Sequence, residues 1–312
     1  MSCNRVLVTG GAGFIGSHLL DRLINDQVDV TVLDDLSTGK LNNLSDHLED
    51  KRLRFIKGDV RDKASVNDAL KNVEVVFHLA AVTSVPYSVE HPEETFEVNV
   101  DGTRNLLEAS VRGDVERFVY VSSCAVYGEP RYLPIDEKHF THPISPYAES
   151  KLKAELVCQE FHESYGLKGV ILRPFNVYGP RQRNDQYAGA IFRFIERLHE
   201  GKPPVVFGDG SQTRDFVHVT DVVEALLLSS RSKDAVNRIF NVATGVPTSI
   251  NRLAQLLIEI SGAGLVEPQY NSARKGDIKH SYADIKEAET NLGFRPQVSL
   301  RDGLVDVVKV RK

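Results

Sequence analysis

Thr9-Gly10-Gly11-Ala12-Gly13-Phe14-Ile15-Gly16 follows a short apolar run at 5–9 and precedes a helical pattern that extends to about Asn25. Its glycines at 10, 13 and 16 therefore stand between a predicted strand and a predicted helix. Glycines also form ordinary turns, but here they let the backbone approach a pyrophosphate and let the helix pack close to the strand. The helix N-terminus adds N–H groups and the positive end of its dipole. The stretch predicts a dinucleotide-binding turn.

The next apolar run, at 28–33, ends at Asp34, some 20 residues beyond the glycines. A carboxylate at the tip of the second strand is placed to bind a ribose diol. A plain loop aspartate is the alternative, but the glycines and Asp34 together favour the ribose contact. A second acid, Asp35, follows directly, and two carboxylates would repel a 2′-phosphate. The pair therefore predicts NAD rather than NADP.

Further runs predict strands at 53–57, 73–78 and 117–122 and helices at 63–70 and 93–112. Such alternation predicts a parallel sheet with helices on both faces and ligands beyond the carboxyl ends of its strands. The predicted fold class is α/β, a doubly wound parallel Rossmann sheet with a smaller C-terminal α/β substrate-binding portion. The expected division is an NAD-binding domain at 1–174, with returns near 216–244, and a mostly substrate-binding domain at 175–312.

Several polar residues follow or interrupt these predicted elements. Asn99 stands in the middle of the helix at 93–112, where it faces water or, if it faces inward, needs polar partners from the cofactor or the Lys151 region. Ser123 follows a strand whose end lies on the ligand edge, although serines at strand ends also cap backbone. Cys124 is predicted to be a small packed residue, since no motif supplies a histidine partner.

Ser145-Pro146-Tyr147-Ala148-Glu149-Ser150-Lys151 begins a helix that extends to about Tyr165, with serine as N-cap and proline in the first turn. Tyr147 and Lys151 are four residues apart and share one helix face. An ammonium beside a phenol favours the phenolate and lowers a pKa that is normally about 10. The pair is therefore a candidate for general acid–base catalysis, although a surface Tyr and Lys also share a face by chance.

Composition excludes several classes of function. The 312 residues are 41% hydrophobic and 26% charged with a net charge of −5, and no basic block predicts nucleic-acid or anionic-membrane binding. No apolar run approaches the roughly 20 residues needed to span a bilayer, and the strand run starts too early for a signal peptide. The three cysteines form neither a disulfide framework nor a metal pair. We expect a cytoplasmic protein without a metal site.

In this order and spacing, the motifs resemble the extended short-chain dehydrogenase/reductase family, and within it the NAD-dependent UDP-sugar 4-epimerases that act on UDP-glucose or UDP-N-acetylglucosamine. The matching stretches lie at 9–16, 34–39, 58–59, 78–81, 99–103, 122–128, 147–151, 173–180, 214–218 and 276–277.

The resemblance implies a site. The implied catalytic residues are Ser123, Tyr147 and Lys151. The implied NAD-binding residues are Gly10, Gly13, Phe14, Ile15, Asp34, Ser37, Thr38, Gly39, Asp59, Val60, Leu79, Ala80, Ala81, Thr83, Asn99, Tyr147, Lys151 and Pro174. The implied substrate-binding residues are Ser123, Tyr147, Asn176, Phe207, Arg214, Arg274, Asp277 and Ser281. Tyr147 would take the proton of the sugar 4-hydroxyl, Ser123 would orient that hydroxyl, and Lys151 would bind the nicotinamide ribose and lower the pKa of Tyr147.

The implied reaction is reversible C4 epimerisation of a UDP-hexose through a 4-keto sugar with tightly bound NAD. Ser281 stands where the family can carry a bulky tyrosine, so N-acetylated sugars are expected as substrates beside UDP-glucose and UDP-galactose. A 4,6-dehydratase would carry an acid pair where this chain has Cys124 and Ala125. A UDP-glucuronate 4-epimerase or decarboxylase remains the alternative. An intact acid–base set argues against a non-catalytic NAD-sensing regulator.

The resemblance also implies a homodimer. The helices at 93–112 and 147–165 would pair with their copies in a four-helix bundle.

Overall fold

A seven-stranded parallel sheet organises the chain in the computed structural model, which describes residues 4–182, 189–264, 266–273 and 276–310. The strands are β1 (Arg5–Thr9), β2 (Asp29–Asp34), β3 (Leu53–Lys57), β4 (Val75–His78), β5 (Arg117–Val121), β6 (Gly169–Pro174), β7 (Asn176–Tyr178), β8 (Val205–Phe207), β9 (Thr213–Arg214), β10 (Phe216–His218), β11 (Arg238–Val242), β12 (Thr248–Ser249), β13 (Gln269–Asn271) and β14 (His280–Ser281). The order across the main sheet is β3-β2-β1-β4-β5-β6-β11, and every neighbouring pair is parallel.

Helices cover both faces of this sheet. They are α1 (Phe14–Asn25), α2 (Lys63–Ala69), α3 (Val85–Glu90), α4 (Pro92–Phe96), α5 (Gly102–Arg112), α6 (Pro146–Tyr165), α7 (Ala190–His199), α8 (Val219–Arg231), α9 (Ile250–Ser261) and α10 (Leu300–Val310). Leu20 of α1 and Leu226 of α8 are buried on one face, whereas Leu106 of α5 and Phe161 of α6 are buried on the other. A parallel sheet buried on both faces explains the nearly continuous apolar runs of its strands and confirms the predicted α/β class.

The helix predicted at 93–112 is interrupted by one wide turn. A π-helical segment, Glu97–Asp101, separates α4 from α5, and Asn99 at its centre is only 1% exposed. Such π segments inside α-helices occur often at functional sites. Here the Asn99 side chain faces into the protein rather than toward water.

The C-terminal portion is built from short strands and three helices. Strands β7 and β10 form one pair, β8 and β13 a second, and β9 lies between β12 and β14. Helices α7, α9 and α10 enclose a separate apolar cluster that includes Phe192, Leu253 and Leu304. Strand β11 pairs with β6 at the edge of the main sheet, and α8 packs on one face of that sheet. The second half of the chain therefore contributes to the main sheet as well as to the C-terminal portion. Within the described ranges, no helix combines the length and apolarity needed to cross a bilayer.

Candidate active site

A cavity of about 1270 Å³ runs along the carboxyl ends of the main strands and continues to the C-terminal portion. It is lined by the predicted cofactor residues Gly10, Gly13, Phe14, Ile15, Asp34, Ser37, Thr38, Asp59, Val60, Leu79, Ala80, Ala81, Thr83, Tyr147, Lys151 and Pro174. It is also lined by the predicted substrate residues Ser123, Asn176, Phe207, Arg214 and Asp277. Residues from both halves of the sequence therefore face one space.

The glycine turn joins β1 to α1 in the way that its sequence predicts. Gly10 has a φ of 69°, and a Cβ atom on it would lie 2.8 Å from the backbone nitrogen of Ala80. A Cβ atom on Gly16 would clash with the carbonyl oxygen of Gly10. Gly13 caps α1 without a side-chain hydrogen bond. The turn thus brings bare backbone and a helix N-terminus to the cavity wall, which suits a pyrophosphate.

Asp34 ends β2 and organises the loop beside the glycine turn. Its carboxylate accepts hydrogen bonds from the backbone N–H groups of Ala12 and Leu36, each at 2.9 Å. Burial raises the pKa of Asp34, and these two hydrogen bonds oppose the rise. Gly39 does not line the cavity; a Cβ atom there would lie 2.7 Å from an Asp34 carboxylate oxygen. Its role in this structure is to make room for Asp34.

Asn99 does not line the cavity, but its side chain connects the loop at Val82 to Ser150 of α6. Its Oδ1 accepts from the Val82 N–H at 2.8 Å, and its Nδ2 donates to the Val82 carbonyl at 3.0 Å. The same Nδ2 donates to the Ser150 hydroxyl at 2.8 Å, and Ser150 donates to the Tyr147 carbonyl at 2.8 Å. The inward-facing alternative for Asn99 is therefore the observed one, and its partners are protein groups beside the Lys151 turn.

Ser123, Tyr147 and Lys151 meet where β5 ends against the start of α6. Ser145 caps α6 by accepting from the Ala148 N–H at 3.2 Å, which fixes the turn that carries Tyr147. Ser123 precedes a short 3₁₀ turn at Cys124–Tyr127 and accepts from the Ala125 N–H at 3.1 Å. Lys151 is 3% exposed, and its Nζ donates to the Val121 carbonyl at 2.8 Å. All three residues contact the cavity.

The protonation of the pair differs from the sequence-based expectation. Burial raises the pKa of Tyr147 to about 12, while a hydrogen bond with Ser123 opposes the rise. Burial lowers the pKa of Lys151 to about 8, and the charge of Glu155 opposes that change. The lowered pKa predicted for Tyr147 is thus wrong for the protein alone, because desolvation by burial is the largest influence on the phenol and exceeds the opposing hydrogen bond with Ser123. At neutral pH Tyr147 is a phenol and Lys151 is mostly cationic.

Cys124 is packed, as its sequence context predicts. Burial raises the pKa of its thiol to about 12, so the reactive thiolate is not formed near neutral pH.

The far end of the cavity carries polar and aromatic groups from the C-terminal portion. Arg214 Nη2 pairs with the Asp277 carboxylate at 2.5 Å, and Nη1 donates to the Thr213 carbonyl at 2.8 Å. Gln212 donates to the Phe207 carbonyl at 2.7 Å. Arg214 and Phe207 both line this end of the cavity, which therefore combines a guanidinium with an aromatic side chain.

Two predicted substrate residues stand apart from this wall. Ser281 is 9% exposed and lies opposite Arg214 in the register of β14 and β9, outside the residues that line the cavity. Arg274 lies outside the described residues.

A polar cluster on the cavity wall was not predicted. The Tyr87 hydroxyl donates to the Glu94 carboxylate at 2.6 Å, and the Tyr87 and His91 rings lie 4.4 Å apart between centroids. Arg181 also lines the cavity and pairs with Asp21 of α1 at 2.8 Å. None of these residues belongs to a motif, and only the fold brings them to the cavity.

Comparison with known proteins finds a matching family model and a relative that covers nearly the whole chain. Residues 6–243 match the model of the NAD dependent epimerase/dehydratase family. The chain is 44% identical over 312 residues to a putative UDP-glucose 4-epimerase of Methanocaldococcus jannaschii, with 98% of each chain covered.

Two solved structures are similar over nearly their whole length. One is a UDP-glucose 4-epimerase from Thermotoga maritima with UDP-glucose, at 41% identity and a TM-score of 0.91, covering 98% of this chain and 97% of that one. The other is a UDP-N-acetylglucosamine 4-epimerase from Methanobrevibacter ruminantium in complex with UDP-N-acetylmuramic acid. It is 41% identical with a TM-score of 0.94, covering 99% of this chain and 98% of that one.

Proposed function

The chain belongs to the NAD-dependent epimerase/dehydratase family, and we propose that it interconverts the C4 epimers of a UDP-hexose. The proposed substrates are UDP-glucose and UDP-galactose, together with their N-acetylated counterparts. One observation carries the proposal: Ser123, Tyr147 and Lys151 line a single cavity between the glycine turn and the Arg214 wall. Its volume of about 1270 Å³ exceeds the roughly 300–1,000 Å³ of a pocket for one small ligand. Two ligands can therefore meet at the acid–base group.

The residues present fit NAD. The Gly10 turn leaves space that a Cβ atom would fill, and α1 directs its N-terminus toward the same wall. Asp34 and Asp35 both line the cavity and would repel a 2′-phosphate. Bound NAD supplies the hydride acceptor and donor for C4 and a positive ring that favours ionisation of a nearby phenol.

The chain itself moves and holds the proton. Tyr147 takes the proton of the 4-hydroxyl as that group is oxidised and returns it when the opposite epimer forms. Ser123 orients the hydroxyl, since it is within hydrogen-bonding reach of Tyr147. Lys151 lines the same cavity one helical turn from Tyr147, and its positive charge favours the phenolate that accepts this proton.

The opposite wall selects the nucleotide sugar. Arg214 and Asn176 face the cavity with donors suited to a diphosphate, and the Phe207 ring offers a surface for a base. Ser281, beside Arg214 in the register, is proposed to leave room for an N-acetyl group at C2. Arg274 is proposed as a second phosphate contact.

The competing chemistries of the family require other side chains. A 4,6-dehydratase needs an acid pair next to Ser123, where this chain has Cys124 and Ala125. A UDP-glucuronate 4-epimerase or decarboxylase would share Ser123, Tyr147 and Lys151. UDP-glucuronate is therefore the substrate to compare directly with the hexoses.

A homodimer is part of the proposal. Helices α5 and α6 pack side by side, and Leu156 of α6 is 57% exposed. The family resemblance implies pairing of these two helices with their copies, and Leu156 lies on the face of α6 that such pairing would cover.

Proton NMR of the purified protein with UDP-glucose, UDP-N-acetylglucosamine and UDP-glucuronate, each without added reductant, tests the function. We expect the galacto anomeric signal to appear with the first two. Turnover of UDP-glucuronate alone would overturn the proposed substrate, and no turnover of any of the three would overturn the reaction.

A further inference from the structure

Side chains on two successive turns of α6 form hydrogen bonds with Val121, the last residue of β5, and with Ser122, which follows it. Lys151 Nζ donates to the Val121 carbonyl at 2.8 Å. One turn later, the carboxylate of Glu155 accepts a short hydrogen bond from the Ser122 hydroxyl. Ser123 is the next residue along the chain. The helix that carries Tyr147 and the strand end that carries Ser123 are thus joined directly beneath the site.

Arg173 of β6 completes this junction. Its Nε and Nη2 donate to the two Glu155 carboxylate oxygens at 2.9 and 2.6 Å. The side chains of Arg173 and Glu155 are only 4% and 2% exposed. A bidentate, buried ion pair has a fixed geometry, so Glu155 holds α6, β5 and β6 in one register. Pro174 and Asn176, which follow Arg173, line the cavity.

The charge of Glu155 also acts on Lys151. From its own helix Lys151 faces Glu155 and Cys158, from β4 it faces the neutral His78, and from β5 it lies 4.9 Å from the Tyr120 ring centroid. Arg173 pairs with both oxygens of the same Glu155 carboxylate. Among these groups Glu155 is the anion that opposes the loss of the Lys151 proton on burial.

We propose that Glu155 is a positioning residue for the reaction, which sets the distance between Ser123 and Tyr147 and keeps Lys151 cationic. The kinetic part of this inference rests on the proposed epimerase function. The geometric part rests on the contacts of Glu155 alone.

A double variant, Glu155→Gln/Arg173→Gln, tests the charge without leaving either partner as an unpaired buried ion. We expect a folded protein in which kcat falls, while the high-pH limb of the kcat profile moves down by roughly one unit, as the loss of a neighbouring opposite charge predicts. NMR of the protein labelled at lysine Cε, with Lys151→Arg for assignment, should show the same downward shift for Lys151. Arg173→Lys, which keeps both charges, should leave the limb in place.

Ser122→Ala tests the positioning separately, since it removes the hydrogen bond to Glu155 and leaves the charges of Glu155 and Arg173 in place. We expect kcat to fall on the order of tenfold because the reacting groups are misaligned, with the KM for the UDP-sugar nearly unchanged. Ser122→Thr, which keeps the hydroxyl, should restore kcat.

Wild-type kcat in Ser122→Ala would overturn the positioning role. A folded double variant whose Lys151 titrates as in the wild type would overturn the electrostatic role. If the wild type turns over no UDP-sugar, the proposed function fails, whereas the Lys151 titration still decides the role of Glu155.

Discussion

The hydroxyl of Thr9, the last residue before the glycine turn, lies 2.7 Å from Nδ1 of the buried His78. On the other side of the ring, Nε2 lies 2.8 Å from the Thr103 hydroxyl, which itself donates to the Asn99 carbonyl at 2.6 Å. Because Thr103 uses its proton on Asn99, His78 must donate from Nε2 and accept at Nδ1. One hydrogen-bond chain thus connects the start of the glycine turn to the π-helical segment.

The buried, neutral His78 in this hydrogen-bond network should make the stability of the protein depend on pH. Burial, and then the charge of Lys151, lower the pKa of His78 to about 3, whereas an unfolded histidine titrates near 6.5. The unfolded state therefore binds a proton that the native state rejects. We expect the contribution of His78 to be complete above pH 6.5 and to decline by up to about 1.4 kcal/mol per pH unit as the pH falls toward 3.

Denaturant unfolding of the wild type and of His78→Gln across this pH range measures the effect. The variant should be less stable at pH 7 by about 1–3 kcal/mol, because it disturbs two buried hydrogen bonds, and the difference between the two proteins should shrink in acid. Parallel stability curves would show that His78 is not neutral in the fold.

Tyr147→Phe removes the proposed proton donor and acceptor while preserving the shape of the ring. We expect kcat to fall by roughly 10²–10⁴-fold, with NAD binding retained. Tyr165→Phe provides the control, since Tyr165 ends the same helix but is 62% exposed. Epimerisation assays by NMR measure both, and an active Tyr147→Phe enzyme would exclude Tyr147 as the acid–base group.

Gly10→Ala tests the close approach of backbone at the glycine turn. Gly10 and Gly166 share nearly the same φ, 69° and 70°, but only at Gly10 would a Cβ atom meet other atoms. Gly166→Ala should cost about 1–2 kcal/mol from left-handed strain alone. Gly10→Ala should cost more and also weaken NAD binding, as measured by unfolding and by calorimetric titration. Equal losses for the two variants would mean that the Ala80 contact relaxes freely.

Ser281→Tyr tests substrate selection beside Arg214. A phenol at this position in β14 should occupy the space proposed for the N-acetyl group, so turnover of UDP-N-acetylglucosamine should be lost while that of UDP-glucose persists. Ser281→Ala keeps the space and should turn over both. Turnover rates for the two sugars, measured side by side, test this selection. An equal loss of both would contradict the proposal that Ser281 leaves room for the N-acetyl group.

Leu156→Glu tests the proposed dimer. The mass in solution should fall from twice 34.7 kDa toward 34.7 kDa, because a carboxylate would be buried without a partner at the proposed interface. Val246→Glu is the matched control, since Val246 is similarly exposed, at 59%, but lies outside α5 and α6. Light scattering measures the mass, and a dimer that persists in Leu156→Glu would place any interface elsewhere.

Local patterns predicted much of the frame correctly. The glycine turn, Asp34 at the end of β2 and the capped start of α6 all depend on short-range geometry, which a few neighbouring residues impose. The alternation of apolar strands and helices predicted the parallel sheet for the same reason. Motif resemblance then extended these local signals to residues such as Arg214 and Phe207, which line the cavity.

The sequence by itself determined the fold class, the cofactor and the family of the reaction, because each follows from motifs whose members are close together in the chain. Only the tertiary structure decided the inward turn of Asn99, the tautomer of His78, the raised pKa of Tyr147 and the link from Glu155 to Ser122. Each of these depends on burial or on partners at least 17 residues away in the chain. Desolvation and long-range hydrogen bonding exist only after the elements have packed.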